Sequence, residues 1–495
     1  MTTALRFLSC GLFILGLTNG MTAAELQSLR IGVAEADITP PEGFLMAGYY
    51  HERQATGTLH PLKAKAIVFC DDSQRVAFVA CDVIGIAHDL SSEVRRLAAA
   101  QTGIPATHIV LAATHSHTAP EYTRDLYEYL GQSPAEGQSR YAAKLIGGIV
   151  DAIVRANASV QPVTVFSGTV RQETPISFNR RFIMRDGSAR TWMRLDNPEV
   201  VRAAGPIDPD VNLMLVRAVD GDQPLSVFTN FALHLDTVGG TLWSGDYPVY
   251  VEQMVRQTLG PNVISIFGNG CCGDINHVDP VAQAINKTEF IGQSLSRTVQ
   301  QGLTQLARIE RPVLRFRTAQ VALPLQEITA EDVARALPLL AEAKAGKQVD
   351  FVAQVTAYKT VVLDQLRNKP PFAPAGDSIN WGLSRTWAGI GDRLPLEVQV
   401  IALGQDLAIV CLPGEEFVDL GLSIKRASPF RTTLVVELCN CVETIYVPTR
   451  VAYAVGSYEV TNTALQPGSG EMLAETAVRL LRDATHDEAA PPQSP

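Results

Sequence analysis

Continuous apolar runs alternate along this chain with segments whose apolar residues recur at helical spacing. The run RVAFVACDVIG (Arg75 to Gly85) is followed by a segment that sets Val94, Leu97 and Ala98 on one helical face, with Asp89 or Ser91 as the expected cap. A second apolar run, HIVLAATH (His108 to His115), comes next, so the stretch predicts a strand–helix–strand unit. The order recurs as LSVFTNFALH (Leu225 to His234), a helix from near Pro248, and NVISIF (Asn262 to Phe267). It recurs again as LAIVCL (Leu407 to Leu412), a helix over Phe417 to Lys425, and TTLVVELC (Thr432 to Cys439). Strands apolar on both faces imply burial between layers. The expected fold class is therefore α/β: mixed β-sheets built from βαβ units and flanked by helices, with the site at the carboxyl ends of strands. No sequence repeat is evident beneath the recurring order.

Other segments break that rhythm. A mainly helical insert is expected over about 330–367, closed by the proline-rich loop NKPPFAPAG (Asn368 to Gly376). LEVQVIALGQDLAIVCL reads as a hairpin that turns near Gly404-Gln405-Asp406. At the N-terminus Arg6 precedes the short apolar run FLSCGLFILGL and the small residues Thr22 to Ala24. That is the pattern of a cleaved signal peptide over 1–24, and the run is too short to span a bilayer, which takes about 20 residues. The mature chain is expected to be secreted or periplasmic, with one body over 25–485 and a disordered tail over 486–495.

Composition narrows the classes. The chain has 495 residues, 46% of them hydrophobic, enough for a large core. The net charge of −10 is spread over interspersed acids and bases with no basic stripe, which argues against a nucleic-acid partner. Cleavage removes one of eight cysteines and leaves seven, so at least one stays unpaired. Cys70 and Cys81 lie in apolar stretches and are expected to be buried packing residues.

The candidate chemistry collects at strand ends. His115 and His117 end one strand, His234 another, and GNGCCGDINH (Gly268 to His277) follows a third. Glu415 follows Pro-Gly after a fourth, and Tyr446 follows a fifth. Ligands of open α/β sheets bind beyond the carboxyl ends of parallel strands, so these residues could meet along one edge. In an extended HxH both imidazoles face the same side, as a zinc site or a ligand plus an acid/base requires. Arg180, in ISFNRRF, is a candidate anion or carbonyl binder, although Arg181 beside it shows how little one arginine says. Asp246 is expected to cap the helix near Pro248.

Taken in order, GVAEADITPPEGFLMAGY, GTLHPLKAKAIVF, VLAATHSHTAP, FNRR, FALH…SGDYP, GDIN, LPGEEF and YVPTRVAYAVGSYE resemble the catalytic domain of the neutral/alkaline ceramidase family, over about residues 31 to 460. The resemblance implies a zinc amidase that hydrolyses the N-acyl bond of ceramide or a related N-acyl lipid through metal-activated water. It implies zinc on His115, His234, Glu415 and Tyr446, His117 near the reacting amide, and Arg180 as an active-site arginine. It also implies a lipid or small-molecule substrate, with room for peripheral membrane contact and no statement of oligomeric state. The family's loop reads Ser-Asn-x-Gly-Asp, with the serine in a catalytic role. Here Gly270 stands at the serine and Cys271 at the asparagine. Either metal-activated water suffices, or Cys271 substitutes as a catalytic group, or the reaction differs. The family's proteins usually add an immunoglobulin-like domain, and this chain is expected to hold the catalytic region only. The alternatives are a zinc hydrolase of a different amide or ester, and a non-catalytic cell-surface binding protein on the same fold.

Overall fold

The computed structural model describes residues 29–131, 137–281, 286–368 and 384–486. The expected signal segment, most of the proline-rich stretch and the tail from 487 lie outside the described residues. The main elements run β1 (Arg30–Asp37), β2 (Lys63–Cys70), β3 (Arg75–Cys81), α1 (His88–Thr102), β4 (Ile109–Ala113), α2 (Tyr141–Ala158), β5 (Gln161–Arg171), β6 (Asp210–Ala218), β7 (Pro224–Phe231), α3 (Pro248–Leu259), β8 (Ile264–Asn269) and α4 (Thr288–Leu303). They continue with β9 (Leu314–Pro324), α5 (Ala330–Lys344), α6 (Phe351–Asn368), β10 (Arg393–Leu403), β11 (Leu407–Cys411), α7 (Val418–Ala427), β12 (Thr432–Val436) and α8 (Ser469–Asp483). The fold is mixed α/β.

Two sheets carry the structure. One has the order β8-β7-β6-β5-β1-β2-β3-β4, with the short strand Ala307–Arg308 added beside β5. The other has the order β9-β10-β11-β12. One topology occurs three times: three antiparallel strands, then a helical crossover to a parallel fourth. It is made by β1–β4 with α1, by β5–β8 with α3, and by β9–β12 with α7. Each parallel pair is one of the βαβ units legible in the sequence. Of the antiparallel strands before them, β10 pairs with β11 across the expected hairpin turn near Gly404. β5 alternates in burial, but Ser167 and Gly168 break its apolar pattern.

The sheets face each other. Ile31, Phe69, Phe78 and Phe228 of one pack with Phe316, Ile401, Ile409 and Leu434 of the other. Val94 of α1 and Leu145 and Ile149 of α2 cover half of the outer face of the larger sheet. Val251 of α3 and Ile291 and Leu295 of α4 cover the other half. Leu363 of α6, Ile424 of α7 and Leu480 of α8 close the smaller sheet. The result is a helix–sheet–sheet–helix stack in which the crossover strands are buried on both faces, as continuous apolar runs demand. At the start of α1 Asp89 is not the cap. Its carboxylate accepts from Ser384 Oγ at 2.5 Å and Arg385 N at 2.8 Å, so it ties α1 to the segment that leads into β10.

Between β2 and α3 lies a half-buried charge network. Glu252 accepts from Lys63 Nζ at 2.7 Å and Lys65 Nζ at 2.5 Å, and Arg256 pairs with Glu35 and Glu252. Burial alone would raise the Glu252 carboxyl, but Lys65 and Lys63 outweigh it and hold it at about 2, against 4.5 unperturbed. A depressed carboxyl contributes stability above its unfolded value and loses it as the pH falls. Glu252→Gln is therefore expected to cost about 1–3 kcal/mol at pH 7. The difference from wild type should shrink between pH 4.5 and about 2. Urea midpoints measured across that window check it.

Candidate functional site

The carboxyl ends of β4, β7 and β11 bring four chemistry-bearing side chains together. β4 is followed by His115 and His117, and β7 by His234. The two segments meet in a parallel bridge, Ser116 with Leu235, and His117 N donates to Leu235 O at 2.9 Å. Glu415 follows β11 through Pro413-Gly414, and the two-residue strand Glu415–Glu416 pairs in parallel with Tyr446–Val447. The expectation that an extended HxH aims both rings is corrected in its mechanism. His115 lies at φ 74° and Ile445, just before Tyr446, at φ 57°. Left-handed backbone at non-glycine residues costs about 1 kcal/mol or more each, and here it turns two candidate ligands inward.

Hydrogen bonds to Nδ1 set the direction of two imidazoles. His115 Nδ1 lies 2.7 Å from Ile84 O, and His234 Nδ1 lies 2.9 Å from Cys272 O. When either ring is neutral, its Nδ1–H donates to the carbonyl and Nε2 keeps a lone pair towards the site. For His115 burial alone would lower the imidazole, but Glu415 outweighs it and raises it to about 9, so a cation binding there would displace that proton. Glu415 Oε2 is 3.4 Å from His115 Nε2 and 3.5 Å from His234 Nε2, yet it is buried with no hydrogen-bond partner. His117 Nε2 is 3.4 Å from His115 Nε2, and His117 Nδ1 is also unpartnered. A ring nitrogen from each of His115, His117 and His234 falls within 4.8 Å of the other two. Convergent lone pairs around an orphaned buried carboxylate oxygen are the donor set of a cation site, so these residues fit a divalent metal.

The electrostatics follow from this crowding. Burial alone would raise the Glu415 carboxyl, but His115 outweighs it and holds it well below the usual range. Burial, with His115 beside it, brings His117 down to about 3, so this imidazole stands neutral. Burial and then Glu415 raise the Tyr446 phenol well above its ordinary value.

Arg180 stands behind these groups. Its Nε donates to Glu459 Oε1 at 2.8 Å, and its Nη2 to Gly273 O at 2.8 Å and Tyr446 Oη at 3.0 Å. Nη1 lies 3.3 Å from His234 Nε2. The guanidinium is buried and does not line the cavity, so the structure makes it a positioning residue for Tyr446 and His234. Glu459 had no role in the sequence reading. It stands fully buried, accepts from Arg180, Thr191 and Ser457, and pairs with Arg181 at 3.5 Å. The signal was present: Glu459 closes the matched segment YAVGSYE.

The Gly268–His277 loop supports the site without entering the cavity. Cys271, considered above as a substitute for the missing serine, is not brought to the cavity. Its side chain lies in the core of the smaller sheet, and burial with Glu416 beside it pushes the thiol up, the opposite of an activated nucleophile. Its neighbour does touch the site. Cys272 Sγ lies 3.2 Å from His234 Nδ1. Gly273 is needed because a Cβ there would sit 2.6 Å from Glu415 O, so the loop's glycine admits a neighbouring strand. Asp274 accepts from Asn179 Nδ2 at 2.7 Å and Val418 N at 2.9 Å. His277 pairs with Asp236 at 2.9 Å. Asp246 is chiefly a tie for the chain after His234: it accepts from Thr237 and Val238 N as well as from Tyr247 N, and α3 has no side-chain cap.

A cavity of about 200 Å³ opens onto His115, His117, Glu415 and Tyr446. Its walls are mostly apolar or aromatic, with Tyr49, Tyr50, Ile84 and Tyr122 among them. Leu340 of α5 and Tyr358 and Val362 of α6 join them, with Tyr358 edge-on to Tyr50 at 5.8 Å, so the helical insert supplies part of the binding space. Glu52 and Arg124 add charge to the lining, and these two pair with each other at 3.3 Å.

Residues 29–282 match a family model described as neutral/alkaline non-lysosomal ceramidase, N-terminal. Neutral ceramidase B of Dictyostelium discoideum is 26% identical over 266 residues, which is 50% of this chain and 36% of that protein. Neutral ceramidase A of the same organism is 27% identical over 285 residues, 53% of this chain and 38% of that one. Neutral ceramidase of Pseudomonas aeruginosa is 29% identical over 221 residues, 43% of this chain and 31% of the relative. The matched stretches thus span about a third of each of these relatives. The crystal structure of the Pseudomonas aeruginosa neutral ceramidase superposes with a TM-score of 0.65 at 20% identity, covering 94% of this chain and 76% of that one.

Proposed function

This chain belongs to the neutral/alkaline non-lysosomal ceramidase family, and from that membership we propose that it is an exported, zinc-dependent hydrolase of the N-acyl bond of ceramide or a related N-acyl lipid. The observation that carries the reading is the unpartnered Glu415 Oε2 between the Nε2 atoms of His115 and His234, at the floor of an apolar cavity. His115, His234, Glu415 and Tyr446 would hold the ion. When bound, zinc would supply Lewis acidity to the scissile carbonyl. The remaining work belongs to side chains. The aromatic and aliphatic walls exclude water and take up acyl chain. His117 faces the cavity with a free ring nitrogen; neutral at rest, it takes the proton released by the attacking water and passes it to the departing amine. Arg180, fixed by Glu459, keeps the Tyr446 hydroxyl and the His234 ring in place.

His117→Ala should lower kcat about 10²-fold or more while the zinc content stays at wild-type level. Steady-state kinetics beside metal analysis checks this. Loss of zinc in that variant would make His117 a ligand instead of a proton carrier.

The charged pair Glu52–Arg124 in the cavity lining favours a second reading, a zinc hydrolase of a more polar amide or ester. Profiling N-acyl sphingosines against short N-acyl amino acids separates the two. The first reading expects kcat/KM at least tenfold higher for the lipids, and the reverse order would replace it with the second.

A further inference from the structure

We propose that the chain holds a second divalent cation, of the zinc class, on Cys271, Glu416 and Glu437, directly behind the floor of the cavity. These residues follow β8, β11 and β12, so they come from the same convergence of strand ends that builds the first cluster. One ligand atom from each lies within 4.8 Å of the other two. Solvent is shut out: Cys271 is 3% exposed, and Glu416 and Glu437 are 0% exposed. A Cβ on Gly421 of α7 would come within 2.8 Å of Cys271 Sγ, which shows how tightly the helix closes over the thiol.

The hydrogen bonds are incomplete in a specific way. Glu437 is partnered, accepting from Cys272 N at 3.1 Å and Cys272 Sγ at 3.0 Å. Neither carboxylate oxygen of Glu416 has a partner. Asn269, which bonds Cys272 Sγ through Nδ2 at 3.3 Å, also leaves its buried Oδ1 unpartnered. Among the described residues no ion pair reaches Glu416 or Glu437. A buried carboxylate without a partner is strongly unfavourable, and a second carboxylate beside it adds repulsion. A divalent cation removes both costs.

The donors select the ion. One thiolate with carboxylate oxygens suits zinc, whereas calcium and magnesium take oxygen alone. Binding would displace the Cys271 thiol proton to solvent. None of the three residues lines the cavity, so the ion is structural. It would fix Cys271 and Glu416, whose chain neighbours Cys272 and Glu415 touch or join the first cluster.

The test is the metal content of the purified full chain. We expect two equivalents of zinc in the wild type by mass spectrometry. The double variant His115→Ala/His234→Ala should keep one, and Cys271→Ala and Glu416→Gln should each lose one. Zinc replaced by Co²⁺ should give a thiolate-to-cobalt charge-transfer band that survives in the double histidine variant and is absent from Cys271→Ser. One equivalent in the wild type that disappears in the double histidine variant overturns the proposal. So does a cobalt protein whose spectrum lacks that band. Neither result depends on a Cys271 variant folding. If the histidine variants keep both equivalents and Cys271→Ala loses one, the cavity-floor reading fails and this one stands.

Discussion

His115→Ala should release the metal at the cavity floor and lower kcat/KM towards an N-acyl sphingosine by about 10³-fold or more. This side chain joins three parts of the site. His115 Nε2 lies within 3.4 Å of both Glu415 Oε2 and His117 Nε2, and its Nδ1 is locked by the Ile84 carbonyl. Alanine also fits poorly at φ 74°, so stability could fall for a reason unrelated to the ligand. His115→Asn separates the two effects, because asparagine tolerates left-handed backbone and lacks the imidazole. The expected result is a folded His115→Asn protein with the metal and the turnover both lost. Metal analysis and progress curves on the same preparation read it.

The second large effect is structural. Arg180→Ala should destabilise the protein by about 3–5 kcal/mol, because it strands the buried Glu459 carboxylate. The side chains of this pair are 3% and 0% exposed, so water cannot replace the lost partner. Arg181 reaches the other oxygen at 3.5 Å and compensates only in part. Arg180→Lys should recover little, since one ammonium cannot reproduce the fork that meets Glu459, Gly273 O and Tyr446 together. The double variant Arg180→Ala/Glu459→Gln should be more stable than Arg180→Ala alone. Urea midpoints of the three variants measure this, and a double variant no more stable than the single one would deny the pairing its role.

What was legible in the sequence is uneven, for physical reasons. The βαβ units announced themselves because parallel strands buried on both faces are continuous apolar runs, and their ends pointed to His115, His234 and Glu415. The threefold recurrence of the whole five-element unit was not legible. Topology is preserved across the three copies by pairing and crossover, which many apolar sequences satisfy, so no residue pattern had to repeat. Glu459 escaped because a charged residue near a short helix reads as a solvated face. Only the fold brings Arg180, some 280 residues earlier in the chain, against it. Cys271 drew attention for its position beside the missing serine. The loop instead turns that thiol into the core and offers Cys272 to His234. Two adjacent side chains in an extended loop point to opposite sides, and the sequence could not say which one faced the site.

The proposed activity is cleavage of an N-acyl amide at the floor of this cavity with a bound metal. The most direct measurement is fatty-acid release from an N-acyl sphingosine by the purified full chain, before and after dialysis against a chelator and again after zinc is returned. The expected result is release of fatty acid and sphingoid base in equal amounts, loss of that activity on chelation and its return with zinc. Turnover unchanged by full removal of the metal, or no release from a zinc-replete and folded protein, would contradict it.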